Sequence, residues 1–270
     1  MRDEVIAFDI GGTSMRSALI KNNQILKHAS IPTPKTKPEF LGKIVEFIDG
    51  FNSSNVKGIG IGIAGPVKDG VIKNAPNLVL KNFDLRKYLM NKYHKQVEIK
   101  NDAECFTLAE LKKGSKLRNF LLITVGTGIG GGIVIDGKDY RGMGYGAEFG
   151  HMYIQDEQWE TLWKKTRARI KKEFGKELLI RDFVKMNDKK SKLILDECTD
   201  YFGKGIASLI SAFDPEAVFI GGGVRDSGKY FIESVKKKVE KYSFIPRKTP
   251  IKWTTLENPG IIGASLLIKN

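Results

Sequence analysis

The chain has 270 residues, 41% of them hydrophobic and 28% charged, with 45 basic against 31 acidic side chains and a formal net charge of +14. That length suits about two domains of ordinary size; no apolar stretch reaches the ~20 residues a bilayer span needs, and the first residues lack a signal-peptide layout. Only two cysteines, Cys105 and Cys198, are present, which excludes a disulfide framework and a cysteine-rich zinc site and makes a reducing cytoplasm the expected location.

Val5 to Ile10 reads as an apolar strand ending in Asp9-Ile10-Gly11-Gly12-Thr13, and Ser14 to Ile20 as its return. A strand, a glycine turn and a returning strand bare backbone N–H groups that suit a phosphate. Asp9, at the strand end, serves either as a turn cap or as a magnesium holder acting through water. Pro32 to Pro38 predicts a stiff loop, and Glu39 to Phe51 an amphipathic helix with Phe40, Ile44, Phe47 and Ile48 on one side. Val56 to Ala64 predicts a buried strand running into Gly65-Pro66-Val67. Asn77, in the polar turn over 74–78, either shapes its loop or meets a ligand. A helix capped at Asp84 runs to Lys92, and the short strand 97–100 leads into Asn101-Asp102-Ala103-Glu104. Helical spacing from Ala103 to Lys113 puts Asp102 at a strand-to-helix junction, where capping is the commoner job of an aspartate.

Phe120 to Val125 is a second buried strand, followed by a seven-residue turn, Gly126 to Gly132, with five glycines, and a returning run from Ile133 to Ile135. Two copies of the strand–turn–strand layout imply two similar halves facing each other across a nucleotide. Behind further glycine, Glu148 and His151 sit three residues apart, as hydroxyl-binding groups would. Helices are predicted over 159–172, 178–186 and 193–211; strand 217–220 then delivers Gly221-Gly222-Gly223, a third glycine turn suited to close packing against an adenosine. A helix over 231–239, a short strand over 251–255 and a closing helix over 261–268 follow. The basic runs 164–172, 185–192 and 236–241 have no interleaved aromatics and no nucleic-acid motif, so they read as solvated helix faces. Neither nucleic acid nor a membrane is an expected partner, while the positive field would steer anionic nucleotides.

Assembled in this order, the motifs resemble the ROK family of sugar kinases over nearly the whole chain. Asp9-Ile10-Gly11-Gly12-Thr13 and Gly126-Thr127-Gly128 look like its two phosphate motifs, and Asn101-Asp102-Ala103 like its catalytic-base motif. Gly65-Pro66-Val67, Pro76-Asn77-Leu78 and Glu148-Phe149-Gly150-His151 are similar to its sugar-side segments, and Gly221-Gly222-Gly223 to its adenosine motif. The resemblance implies an α/β chain of the actin-like ATPase (ribonuclease H-like) fold: two α/β domains flanking a cleft, residues 1–103 plus 257–270 and residues 104–256. It further implies an ATP-dependent kinase of a hexose hydroxyl, glucose first, with mannose, fructose, glucosamine, N-acetylglucosamine and N-acetylmannosamine as rivals, and a homodimer. Some members are sugar-responsive repressors with a DNA-binding region ahead of the first phosphate motif; eight residues before Asp9 leave no room for one, and a non-catalytic sugar sensor remains the alternative.

By the resemblance Asp102 accepts the hydroxyl proton, Asn101 helps orient the sugar, and Gly65, Asn77, Glu148 and His151 contact it. Asp9, Gly11, Gly12, Thr13, Gly126, Thr127, Gly128, Gly221, Gly222 and Gly223 bind the nucleotide, with Asp9 behind Mg²⁺. The family commonly carries a zinc-binding cysteine cluster after the Glu-x-Gly-His signature; residues after His151 read MYIQDEQWETLWKK, without cysteine, so no zinc is expected. Glu160 looks like the sugar-binding glutamate that usually ends that cluster, and Glu104 stands where the family usually has an asparagine.

Overall fold

The computed structural model describes residues 3–22, 24–75, 78–175, 180–186 and 188–269, and the chain divides into two units, Met1–Ser115 with Leu256–Asn270, and Lys116–Thr255. In the first unit, β1 (Glu4–Ile10), β2 (Ser14–Lys21) and β3 (Gln24–Pro32) form an antiparallel meander, followed by α1 (Lys37–Phe51) and β4 (Val56–Ile63). Thr36 caps α1 by accepting from Glu39 N, and Phe40, Ile44 and Ile48 bury one side of it, the four-residue spacing that a core-facing helix stripe requires. A small meander of β5 (Val67–Lys68), β6 (Val71–Asn74) and β7 (Lys81–Asp84) leads to α2 (Leu85–Tyr93), β8 (Gln96–Asn101) and α3 (Asp102–Ala109). The main sheet is ordered β3-β2-β1-β4-β8, with β1, β4 and β8 parallel. β3 was not predicted. It is an exposed edge strand whose outward residues leave no alternating apolar pattern to read.

β4 has two unlike faces. Ile59, Ile61 and Ile63 are fully buried on one side. On the other, Gly58, Gly60 and Gly62 form a trough, because successive strand residues point to opposite faces. A methyl group on Gly60 would lie 1.9 Å from Ala264 O, and one on Gly62 would lie 3.1 Å from Cys105 Sγ. α3 and the last helix, Pro259–Ser265, therefore rest almost directly on strand backbone.

α3 ends at Ala109, short of the predicted Lys113, and continues as a turn of π-helix, Glu110–Gly114, closed by Ser115 N donating to Glu110 O at 2.7 Å. Glu110 is buried and its Oε2 has no hydrogen-bond partner. Burial raises its carboxyl above the ordinary 4.5, so the folded state favours the neutral acid. The stability this group contributes is full below about pH 4.5 and is lost as pH rises through the folded value. Glu110→Gln, which fixes the neutral form, is expected to stabilise the protein by roughly 1 kcal/mol at pH 8, with the two melting curves converging near pH 4. Thermal unfolding across that range is the check.

The second unit opens with β9 (Phe120–Val125) and β10 (Ile129–Ile135), then β11 (Lys138–Asp139), the hairpin β12 (Tyr153–Ile154) and β13 (Glu157–Gln158), and α4 (Trp159–Phe174). The predicted seven-residue glycine turn is shorter than expected: Ile129 to Gly132 already pair with β9, leaving only 126–128 as the turn. Glycine carries no strand signal of its own, so only the partner strand reveals the pairing. α5 (Ile180–Met186), α6 (Lys189–Phe213), β14 (Ala217–Gly221), α7 (Gly228–Tyr242) and β15 (Ile251–Trp253) complete the unit, and the chain returns to the first unit as α8 (Pro259–Ser265). α6 starts before the predicted Leu193 because Asp188 caps it, accepting from Lys190 N and Ser191 N. The sheet is ordered β11-β10-β9-β14-β15, and its core gathers Trp159, Phe183, Phe202 and Phe231 around Val218 and Ile220.

Candidate active site

In the first unit, the carboxyl ends of β1, β4 and β8 lie side by side, the edge of a parallel sheet where ligands of such folds collect. Register places Asp9 opposite Gly62 and Ile63 opposite Asn101, and Ala64 N donates to Ile10 O at 2.8 Å. The turn after β1 is closed by Gly11 N donating to Ser14 O at 2.9 Å. Its carbonyls are held from behind: Thr33 Oγ1 donates to Gly11 O at 2.6 Å, Lys35 Nζ to Gly12 O at 3.0 Å, and Thr33 N to Thr13 O at 3.0 Å.

Asp9 pairs with Arg16 at 2.7 Å. Burial raises its carboxyl above the ordinary carboxylate value, and the Arg16 guanidinium pulls the other way. α8 reaches this carboxylate through a glycine: a methyl group on Gly260 would sit 2.5 Å from Asp9 Oδ2. Among the described residues no group of three or more His, Cys, Asp or Glu is placed to hold a metal. A single desolvated carboxylate does fit a magnesium ion that takes its other ligands from water and substrate phosphate.

Capping at the β8–α3 junction falls to Asn101, not Asp102. Asn101 Oδ1 accepts from Ala103 N at 2.8 Å and Glu104 N at 3.3 Å, while its Nδ2 donates to Gly65 O at 3.2 Å. Asp102 is half-buried at the first position of α3, with Oδ1 accepting from Ala103 N at 2.9 Å. Asn101 thus ties the Gly65 loop to the helix that carries Asp102. Asn101→Ala is expected to cost about 1–2 kcal/mol, read as a lower unfolding midpoint. Asn77 lies outside the described residues.

In the second unit, the 126–128 turn is closed by Gly126 N donating to Gly128 O at 2.9 Å. Two side chains of α4, one helical turn apart, hold it from behind: Trp163 Nε1 donates to Gly126 O at 2.9 Å and Arg167 Nη1 to Thr127 O at 3.2 Å. Arg167 belongs to the basic run 164–172, whose pattern is that of a solvated helix face. Beside this turn lies the 148–151 segment, with Glu148 and His151 exposed and the intervening Phe149 and Gly150 buried. His151 Nδ1 donates to Gln158 Oε1 at 3.3 Å, which in a neutral ring leaves Nε2 as an acceptor.

Glu160, in the first turn of α4, joins the two parts. Methyl groups on Gly128 and Gly150 would lie 2.8 Å and 3.2 Å from its Oε2, and its Oε1 pairs with Lys164 at 2.6 Å. Gly222, with φ +85°, leaves β14 so close to β9 that a methyl group there would lie 2.5 Å from Val125 O. The 221–223 and 126–128 turns are therefore neighbours. The structure brings together Asp9, the 11–13 turn, Gly65, Asn101 and Asp102 in one unit. In the other it brings together Gly126 to Gly128, Glu148, His151, Glu160 and Gly221 to Gly223. Arg16, Thr33, Lys35, Trp163 and Arg167 had no sequence signal, because each acts through a partner distant in the chain or on the next strand.

The sequence profile of the ROK family matches residues 5–270. The glucokinase of Halalkalibacterium halodurans is 30% identical over 312 aligned residues, covering 98% of this chain and 94% of that protein. The beta-glucoside kinase of Listeria monocytogenes is 31% identical, covering 97% and 96%. The crystal structure of a ROK family glucokinase from Streptomyces griseus, in complex with glucose and AMPPNP, superposes with a TM-score of 0.85 at 26% identity, covering 98% of each chain. The α/β architecture is that of the actin-like ATPase fold, shared with these neighbours. With the profile matched over residues 5–270, the chain belongs to the ROK family.

Proposed function

We propose that the protein is an ATP-dependent sugar kinase whose leading substrate is glucose, phosphorylated on its 6-hydroxyl. The observation that carries this reading is the position of Glu160. Its carboxylate packs against both Gly128 and Gly150, so a phosphate-type turn and a set of hydroxyl acceptors share one wall of the second unit. Relatives named as glucokinase and beta-glucoside kinase, and a neighbour crystallised with glucose and an ATP analogue, support it.

In this reading Asp102 is the base for the sugar hydroxyl, and Asn101 acts by fixing Asp102 and the Gly65 loop. Glu148, His151 and Glu160 bind ring hydroxyls, and Gly65 and Asn77 line the sugar side. A site built to pair each hydroxyl discriminates stereoisomers, because a wrong sugar leaves a polar group unpaired. The turns at Gly11 to Thr13 and Gly126 to Gly128 cradle phosphate, and Gly221 to Gly223 pack on the adenosine. Asp9 would hold Mg²⁺ through water; the ion, when bound, offsets the charge of the transferring phosphoryl group. Phosphoryl transfer is mostly positioning and electrostatics, and rigid strand ends and glycine turns supply both. A homodimer and a cytoplasmic setting complete the reading.

The test is a coupled ADP-release assay with Mg²⁺-ATP against a panel of hexoses, amino sugars and beta-glucosides. Turnover stimulated by one or more sugars supports the kinase, and the panel names its substrate. Sugar binding without turnover replaces it with a sensor.

A further inference from the structure

Both phosphate-type turns share a feature that the motifs do not contain: their carbonyls are engaged by side chains from elsewhere in the same unit. In the second unit these are Trp163 on Gly126 O and Arg167 on Thr127 O. In the first they are Thr33 on Gly11 O and Lys35 on Gly12 O. In a trans peptide the C=O of one residue and the N–H of the next point in opposite directions. Holding Gly126 O and Thr127 O against α4 therefore turns the N–H groups of Thr127 and Gly128 away from it. By the same geometry the N–H groups of Gly12 and Thr13 point away from Thr33 and Lys35. Gly126 and Thr127 are exposed while Trp163 is buried, so the anchored side is packed at Gly126, and the Arg167 bond to Thr127 lies nearer solvent.

We infer that Trp163 and Arg167 of α4, and Lys35 after β3, are positioning residues that fix the peptide planes of the two turns and so aim their N–H groups at nucleotide phosphate. Glycine turns are inexpensive to rotate, and an anion nest works only while successive N–H groups converge. Side-chain donors on the far carbonyls remove that freedom before the ligand arrives, and preorganisation of this kind is worth most to a highly charged ligand. Arg167 and Lys35 also place a cation behind each turn, which favours the anion at longer range. This rests on the kinase reading, since it names how the nucleotide is held.

The experiment compares wild type with Arg167→Met, Arg167→Lys, Trp163→Phe and Lys35→Met. ADP binding to sugar-free protein is measured by calorimetry; KM for ATP, KM for sugar and kcat come from the coupled assay, with Tm as a control. Expected are a roughly tenfold weaker ADP affinity and higher ATP KM for Arg167→Met and Lys35→Met, with sugar KM and Tm little changed. Arg167→Lys recovers most of the loss, because it restores a donor and a charge. Trp163→Phe, which keeps the ring and removes only the donor, shows a smaller loss of the same kind. Wild-type ADP affinity retained within twofold in Arg167→Met overturns the inference alone. Equal damage to ATP and sugar KM with a fall in Tm also overturns it, since that is general loosening. A wild type that neither binds ADP nor turns over any sugar overturns both the inference and the kinase reading beneath it.

Discussion

Asp102→Asn is expected to lower kcat by about 10²–10⁴-fold while leaving sugar KM within a few-fold and the unfolding midpoint close to wild type. The amide keeps the size of the carboxylate and can still accept from Ala103 N, the bond Asp102 Oδ1 makes at 2.9 Å. It cannot take up the proton of a sugar hydroxyl. Because Asn101 provides the cap of α3, loss of activity in this variant is separable from loss of the helix start. A coupled assay alongside sugar binding by calorimetry reads both quantities. A variant that turns over at the wild-type rate would remove Asp102 from the role of base.

The second large effect concerns stability. Gly60→Ala is expected to destabilise the first unit by about 3 kcal/mol or more, because its methyl group would lie 1.9 Å from Ala264 O and 2.8 Å from Ala264 C. Those are backbone atoms, so no rotamer change relieves the clash; α8 itself has to move. The damage reaches the site as well, since α8 also brings Gly260 against Asp9. Gly42→Ala is the contrasting control: it lies within α1 with nothing within 4 Å of the new methyl group. There the substitution is expected to stabilise by about 0.5–1 kcal/mol. Differential scanning calorimetry of the two variants should give shifts of opposite sign.

What could be read before the structure divides along a physical line. β1, β4, β9 and β14 were legible because each is a short apolar run closed by glycine, and buried strands cannot hide such runs. The residues Asp9, Asp102, Glu148 and His151 stood out because glycine or a strand end framed them. β3 was not legible, since an exposed edge strand pairs through backbone alone. Nor was the extent of β10, whose glycines became strand only through register with β9. Asp102 and Asn101 are adjacent, and local propensity allowed either to be the cap; only the observed bonds assign it to Asn101. Arg167 shows the limit most plainly. Within KKTRARIKK it looks like every other cation of the run, and its partner Thr127 is 40 residues away.

The glycine trough on β4 also sets an order of events during synthesis. α8, which fills it beside α3, belongs to Leu256–Asn270, yet the strands it covers are finished before Ser115 leaves the ribosome. All of Lys116–Thr255 is made in between, a delay on the order of ten seconds at typical elongation rates. Throughout that interval α3 already covers Gly62, while Gly58 and Gly60 present bare backbone where the C-terminal segment has yet to arrive. The second unit, continuous in the chain, has every strand it needs first. Nascent chains arrested shortly after Thr255 should therefore protect the second unit from protease while the first is still being cut, and the surroundings of Asp9 close only when the last helix docks.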